Sequence, residues 1–226
     1  MLSARYALHR HEGPAAVYRL QEGLPLLDPE GPGPVRWRAE PRVSGLRVLE
    51  GLLSADECGR MIELTEEMGY GETHSASLPR EIRQSETVIW QGEPWFTEPL
   101  FARVERALPA PVLGQRPVGL HSFVRFYRYR KGQFLGPHYD ANWQSEDGRY
   151  SQATLILYLN EGFEGGETVF HQPNPRFHPG ADIEKVPIAA PIGGALCFPH
   201  GFVEISPLHE GGRSPGPRPS TYCGWT

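Results

Sequence analysis

Several things this chain lacks narrow what it can do. Three cysteines, Cys58, Cys197 and Cys223, are too few and too scattered for a disulfide framework, and no Cys-x-x-Cys pair suggests a zinc ribbon. They are expected to stay reduced. No run of 18 apolar residues occurs, so no transmembrane helix is expected. The opening segment MLSARYALHRHEG has no apolar run of signal-peptide length, which makes a cytoplasmic location the expectation. A surplus of positive charge is also missing. With 22 Lys and Arg against 27 Asp and Glu, the net charge is −5 and the pI about 6.0, so neither nucleic acid nor an anionic membrane is the expected partner. A small molecule or a peptide is. The sequence carries no sign of an oligomeric state.

What is present divides into an arm and one domain. Residues 1–42 are rich in Gly, Pro and charge, with Gly31-Pro-Gly-Pro34 as the main breaker, and read as an arm in which Ala15–Tyr18 could add an edge strand. His9 and His11 form a His-x-His pair in this arm and read as solvated. Residues 43–226 read as a single domain, since all-β domains run to roughly 200–250 residues. A helix should open at Ser54, where Ser54-Ala-Asp-Glu57 fits the capping box, and should end at Gly69 to Gly71. A second helix is expected over Pro94–Leu108. Between them, 71–91 begins as a polar loop that could lie over a site and ends in a strand at Thr87–Trp90.

From Val118 onward the chain turns to short strand-like runs at 119–129, 134–140, 153–159, 167–171, 184–188, 194–199, 203–209 and 218–225. Eight such strands suit a jelly-roll or cupin-like barrel, mostly β, with the two helices covering one outer face.

FVRFYRYRKGQFLGPHYD, ending at Asp140, carries the chemistry. If its end is a strand, His138 and Asp140 project one pleat apart on one face, as two metal ligands would. A His-x-Asp or His-x-Glu pair arises by chance about once in such a chain, so more is needed. Two histidines and a carboxylate on one face of an octahedron leave three positions open, as in non-haem Fe(II) oxygenases. The third ligand should come much later. His209 is the best candidate, with His171, His178 and His200 competing. Arg218, nine residues after His209, shares a strand face with Ser220, and the two together suit a carboxylate. Tyr129 and Tyr158 could add hydroxyls. Period two also groups Arg125, Tyr127 and Tyr129, so all three or none should face the cavity. A bulge at Lys131-Gly132 would set the direction of the next strand.

In family order stand Tyr129-x-x-Gly132-x-Phe134-x-x-x-His138-x-Asp140, Thr154-Leu-Ile-Leu-Tyr-Leu-Asn160, Gly165-Gly-Glu-Thr168, Gly194-Ala-Leu-Cys-Phe198 and His209-Glu-Gly211 before Arg218. In these blocks, nearly half the chain resembles the 2-oxoglutarate and Fe(II)-dependent dioxygenases of the prolyl 4-hydroxylase-like branch. The resemblance implies a double-stranded β-helix and Fe(II) held by His138, Asp140 and His209. It implies 2-oxoglutarate anchored by Arg218, Ser220 and a tyrosine, with O2 as co-substrate and ascorbate as a possible reductant. The implied reaction couples decarboxylation of 2-oxoglutarate to succinate with hydroxylation of an unactivated C–H bond, on a prolyl residue or a small amino-acid-like or natural-product substrate. Arg218 stands where the collagen-type enzymes resemble one another in using lysine. Asn142, Trp143, Trp90 and Arg83 are the candidate substrate-side residues. The alternatives are a zinc hydrolase, or a non-catalytic cupin-like binding module, on the same His-x-Asp…His set.

Overall fold

The computed structural model describes residues 5–12, 15–72, 82–108, 115–145, 147–212 and 220–225. In chain order it holds strands β1 (Tyr6–Glu12), β2 (Ala15–Leu20), β3 (Arg36–Ala39) and β4 (Arg47–Glu50), helix α1 (Ala55–Met68), then β5 (Gly71–Glu72), β6 (Arg83–Gln84) and β7 (Glu86–Gln91). Helix α2 (Pro94–Val104) precedes β8 (Phe123–Tyr129), β9 (Phe134–His138), β10 (Ala153–Tyr158) and β11 (Thr168–Gln172). The last strands are β12 (Glu184–Ile188), β13 (Ala195–Pro199), β14 (Leu208–Gly211) and β15 (Ser220–Trp225).

These strands form two sheets. The larger runs β1-β2-β7-β8-β15-β10-β13-β4-β3 with β5 on β7, and the smaller runs β12-β11-β14-β9-β6. Among the described residues, every strand pairing is antiparallel except β2 with β7. Buried Tyr129, Tyr158, Leu196 and Phe198 of the larger sheet meet Leu135, Phe170 and Val186 of the smaller. The result is the expected double-stranded β-helix.

Strict alternation lets the larger sheet serve two faces. On β8, Val124 and Phe126 pack toward the helices while Arg125, Tyr127 and Tyr129 line the cavity between the sheets. On β10, Leu155 and Leu157 face the helices while Thr154 and Ile156 face the cavity. Both helices therefore cover the outer face of this sheet, through Met61, Leu64, Phe96 and Leu100 among others. The Ser54 capping box forms as the sequence requires, and Gly69 ends α1 at φ 83°. Glu57 of that box, fully buried, also receives both terminal nitrogens of Arg103 at 2.8 and 3.0 Å, tying α1 to α2. Just before α1, the carbonyl of Gly193 receives the amides of Leu52 and Leu53. A Cβ at Gly193 would stand 2.0 Å from the Leu53 carbonyl oxygen, so only glycine lets β13 begin there.

Several boundaries differ from expectation. Helix α2 stops at Val104 and continues as a 3-10 turn over Glu105–Ala107. The run 203–209 is strand only from Leu208, because Val203 to Ser206 form a turn closed by the Ser206 amide. Lys131-Gly132 is a tight turn with Gly132 at φ 82°, not a bulge, and it carries the chain from the larger sheet to the smaller. The segment 15–18 lies in β2, inside the sheet between β1 and β7, with the Tyr18 hydroxyl on the Met68 carbonyl of α1. His9 and His11 are exposed on β1. No helix among the described residues is long and apolar enough to cross a membrane.

Candidate metal centre

Antiparallel pairing of β9 and β14 sets His138 directly opposite His209, with ring centroids 4.2 Å apart. The two histidines thus come from neighbouring strands of the smaller sheet, not from opposite walls. Strand β9 ends at His138, so Asp140 reaches the site from the following loop and not as the next pleat. Each imidazole places Nδ1 on a backbone carbonyl two residues upstream, His138 on Gly136 at 3.0 Å and His209 on Pro207 at 3.1 Å. That leaves Nε2 of each facing the Asp140 carboxylate, at 3.5 Å and 3.6 Å from its two oxygens. One donor atom from each residue lies within 4.8 Å of the others. The donor set and the shared focus fit a divalent metal taking two imidazoles and one carboxylate, with its remaining positions toward the cavity.

The electrostatics agree. Burial by itself would raise the Asp140 carboxyl, but His209, His138 and the Thr154 hydroxyl outweigh it and hold the acid well below the carboxylate range. Burial pushes the His209 imidazole down to about 4, and His138 adds to that while Asp140 opposes it. His200 is also lowered, chiefly by burial. A histidine depressed in the fold is neutral there while its unfolded counterpart takes up a proton, so stability falls as pH drops from about 6.5 toward 4. The metal-free protein should therefore lose melting temperature across that window, and His209→Gln should flatten the profile. A pH titration of Tm checks this. An unchanged slope in the variant would remove His209 from the account.

Around these residues lies a cavity of about 160 Å³. Arg125, Tyr127 and Tyr129 all line it, in keeping with their common face. Trp143 lines it too, edge-on to His121 with centroids 3.9 Å apart, as does Arg83, whose guanidinium sits 5.3 Å from the Tyr127 ring. The Nε of Arg83 is buried with no hydrogen-bond partner among the described residues. Ser220 pairs its backbone with Tyr129 at the start of β15. Arg218 lies outside the described residues.

Three candidates are elsewhere. Trp90 is fully buried between the larger sheet and the helices, 4.1 Å from the Phe126 ring, with Nε1 donating to the Met68 sulfur at 3.0 Å. Asn142 turns away to donate to the Ser151 carbonyl at 2.7 Å and packs where a Gly201 side chain would be. Tyr158 is buried behind Tyr222 and its hydroxyl contacts Thr168 Oγ1 at 3.0 Å and Ile188 O at 3.3 Å, so it offers nothing to the cavity. The competing histidines are also placed: His171 approaches Glu210 at 3.3 Å, His178 approaches Glu204 at 3.3 Å, and His200 contacts Thr154 at 2.9 Å. Tyr222 and Thr154 are lining residues the sequence reading passed over. Period two already held them, since Tyr222 stands two residues after Ser220 on β15, and Thr154 shares the strand face of Tyr158.

The family model for the 2OG-Fe(II) oxygenase superfamily matches residues 124–222. A probable prolyl 4-hydroxylase 3 from Arabidopsis thaliana is 29% identical over 103 residues, 39% of this chain and 36% of that protein. This chain therefore matches little more than a third of that relative's length. In structure the chain is similar to a viral collagen prolyl hydroxylase of Paramecium Bursaria Chlorella virus-1, at TM-score 0.51 and 21% identity over 80% of this chain and 95% of that one. It is also similar to a Pseudomonas putida prolyl-4-hydroxylase, at TM-score 0.50 and 22% identity over 80% and 91% of the two chains.

Proposed function

We propose that this chain, whose residues 124–222 match the family model of the 2OG-Fe(II) oxygenase superfamily, is a member of it and couples oxidative decarboxylation of 2-oxoglutarate to hydroxylation of a C–H bond. The observation that carries the reading is the convergence of His138, Asp140 and His209 on one point at the wall of an arginine- and tyrosine-lined cavity. Bound Fe(II) would supply the oxidative chemistry, in which one oxygen atom of O2 ends in succinate and the other in the hydroxyl, with CO2 released.

The protein's own part is placement. His138 and His209 present lone pairs whose direction their carbonyl hydrogen bonds fix. Arg218, with Ser220 and Tyr129, is assigned to the far carboxylate of 2-oxoglutarate, because a planar guanidinium grips both oxygens and stays charged when partly buried. Arg83 and Trp143 are assigned to the substrate. The buried Nε of Arg83, unpartnered among the described residues, favours an amino-acid-like or peptide substrate that presents a carbonyl or carboxylate oxygen beside the target C–H bond.

Anaerobic addition of Fe(II) and 2-oxoglutarate should produce the weak visible charge-transfer band of the chelate. Its absence would sink the reading. Arg218→Ala should raise KM for 2-oxoglutarate roughly 10–100-fold, since a hydrogen bond to a charged group contributes about 1.5–3 kcal/mol. An unchanged KM would reassign the anchor. Succinate release across free amino acids and proline-containing peptides, with and without ascorbate, then ranks the substrates.

A further inference from the structure

From the Asp140 carboxylate runs a chain of side-chain hydrogen bonds that involves neither His138 nor His209. Thr154 donates Oγ1–H to Asp140 Oδ2 at 2.6 Å. Its hydrogen being committed there, the same oxygen accepts from His200 Nδ1 at 2.9 Å. A neutral His200 then has a lone pair on Nε2, which accepts from the Ser151 hydroxyl at 2.9 Å. The Ser151 oxygen in turn accepts the Trp143 amide at 2.8 Å. Each donor is fixed by the one before it, and the order begins at an ionised carboxylate that can only accept.

The backbone reinforces this chain. The Gly201 amide donates to the Asp140 carbonyl at 3.2 Å, and the Ser151 amide donates to the Trp143 carbonyl at 2.8 Å. Gly201 has φ 93°, and a Cβ there would fall 2.2 Å from the Asn142 side-chain oxygen. Thr154 and His200 are each 2% exposed, so neither hydrogen bond is traded for water. Trp143, at the far end, lines the cavity on which the metal ligands converge.

We propose that Thr154 and His200 are positioning residues that aim the Asp140 carboxylate and that Ser151 links them to the Trp143 wall, so that metal binding and ordering of that wall are coupled. The proposal rests on Asp140 being a metal ligand. Neither Thr154 nor His200 touches the metal position in it, and both act through Asp140. Loss of an outer hydrogen-bond partner of this kind lowers metal affinity by roughly 10–100-fold. Because each donor in this network is set by its neighbour, cutting it at Thr154 should also release the Trp143 amide from any dependence on the metal.

The test uses the full chain, metal-free and then loaded with Fe(II) under anaerobic conditions, with calorimetry for affinity and amide hydrogen exchange for Trp143. In the wild type, Fe(II) should slow exchange of the Trp143 amide. Thr154→Val should bind Fe(II) roughly 10–100-fold more weakly and show no metal-dependent protection at Trp143. Thr154→Ser, which keeps the hydroxyl, should restore both. Ser151→Ala should keep near-native affinity yet lose the protection, because it cuts only the outer link. Thr154→Val with wild-type affinity, or with metal-dependent protection intact, would overturn the relay while leaving the metal centre standing. A wild type that binds no Fe(II) would overturn both. If Thr154→Val does not fold, the pair of Thr154→Ser and Ser151→Ala decides, and wild-type protection in Ser151→Ala refutes the coupling.

Discussion

His209→Ala should abolish succinate production and reduce Fe(II) affinity by more than the roughly 10–100-fold that loss of an outer hydrogen-bond partner costs. His209 is 3% exposed at the cavity wall, directly opposite His138 in the strand register, and its Nε2 lies 3.6 Å from Asp140. Removing it leaves one imidazole and one carboxylate, a pair too weak to hold a divalent ion against water. The polypeptide should still fold. In the metal-free state the substitution removes a neutral imidazole flanked by Phe170 and Phe198, and it also removes a group that would take up a proton on unfolding. Anaerobic calorimetry with Fe(II), alongside a circular dichroism melt, separates the two effects. Retained Fe(II) binding in a folded variant would eliminate His209 as a ligand.

Trp90→Ala should behave in the opposite way, costing about 3–5 kcal/mol of stability while leaving the chemistry of the folded fraction intact. The indole is fully buried, packs on Phe126 and Phe96 at centroid distances of 4.1 and 5.9 Å, and spends its N–H on Met68. Its loss opens a cavity at the junction of the larger sheet with both helices, where neighbours on rigid elements cannot close in. Urea denaturation should show a lower midpoint with an unchanged slope. A change in KM for substrate at full stability would return Trp90 to the substrate wall.

The contrast between these two residues shows where sequence reading succeeds. Strand alternation from Phe123 to Tyr129 and from Thr154 to Tyr158 was visible in the residues, and so was the capped helix at Ser54. Together they are enough to set two sheets with helices on one side. Trp90 was misplaced because Thr87-Val-Ile-Trp90 is buried along its whole length, so alternation gives no cue to which face is outside. Its register with Phe126's strand, known only from pairing, decides that Trp90 faces the helices. Asn142 sits in a loop, where no period assigns direction. The place of β2 beside β7 depends on a parallel contact across some seventy residues, and composition does not encode that. Tyr158 was half legible: its face was right, but its depth was set by Tyr222 in front of it.

The two-faced character of β8 and β10 has a consequence for how such a protein can change. Residues that line the cavity and residues that hold the helices alternate along the same backbone and face opposite ways. Arg125 or Ile156 can be exchanged while Phe126 and Leu155 stay as they are, so selection on what the cavity accepts is largely uncoupled from selection on whether the chain folds. Thr154 and Tyr129 stand apart from this freedom, since one is bonded to a metal-facing carboxylate and the other is wedged against Tyr222. New substrate preferences should therefore accumulate at the middle positions of these strands and not at their ends.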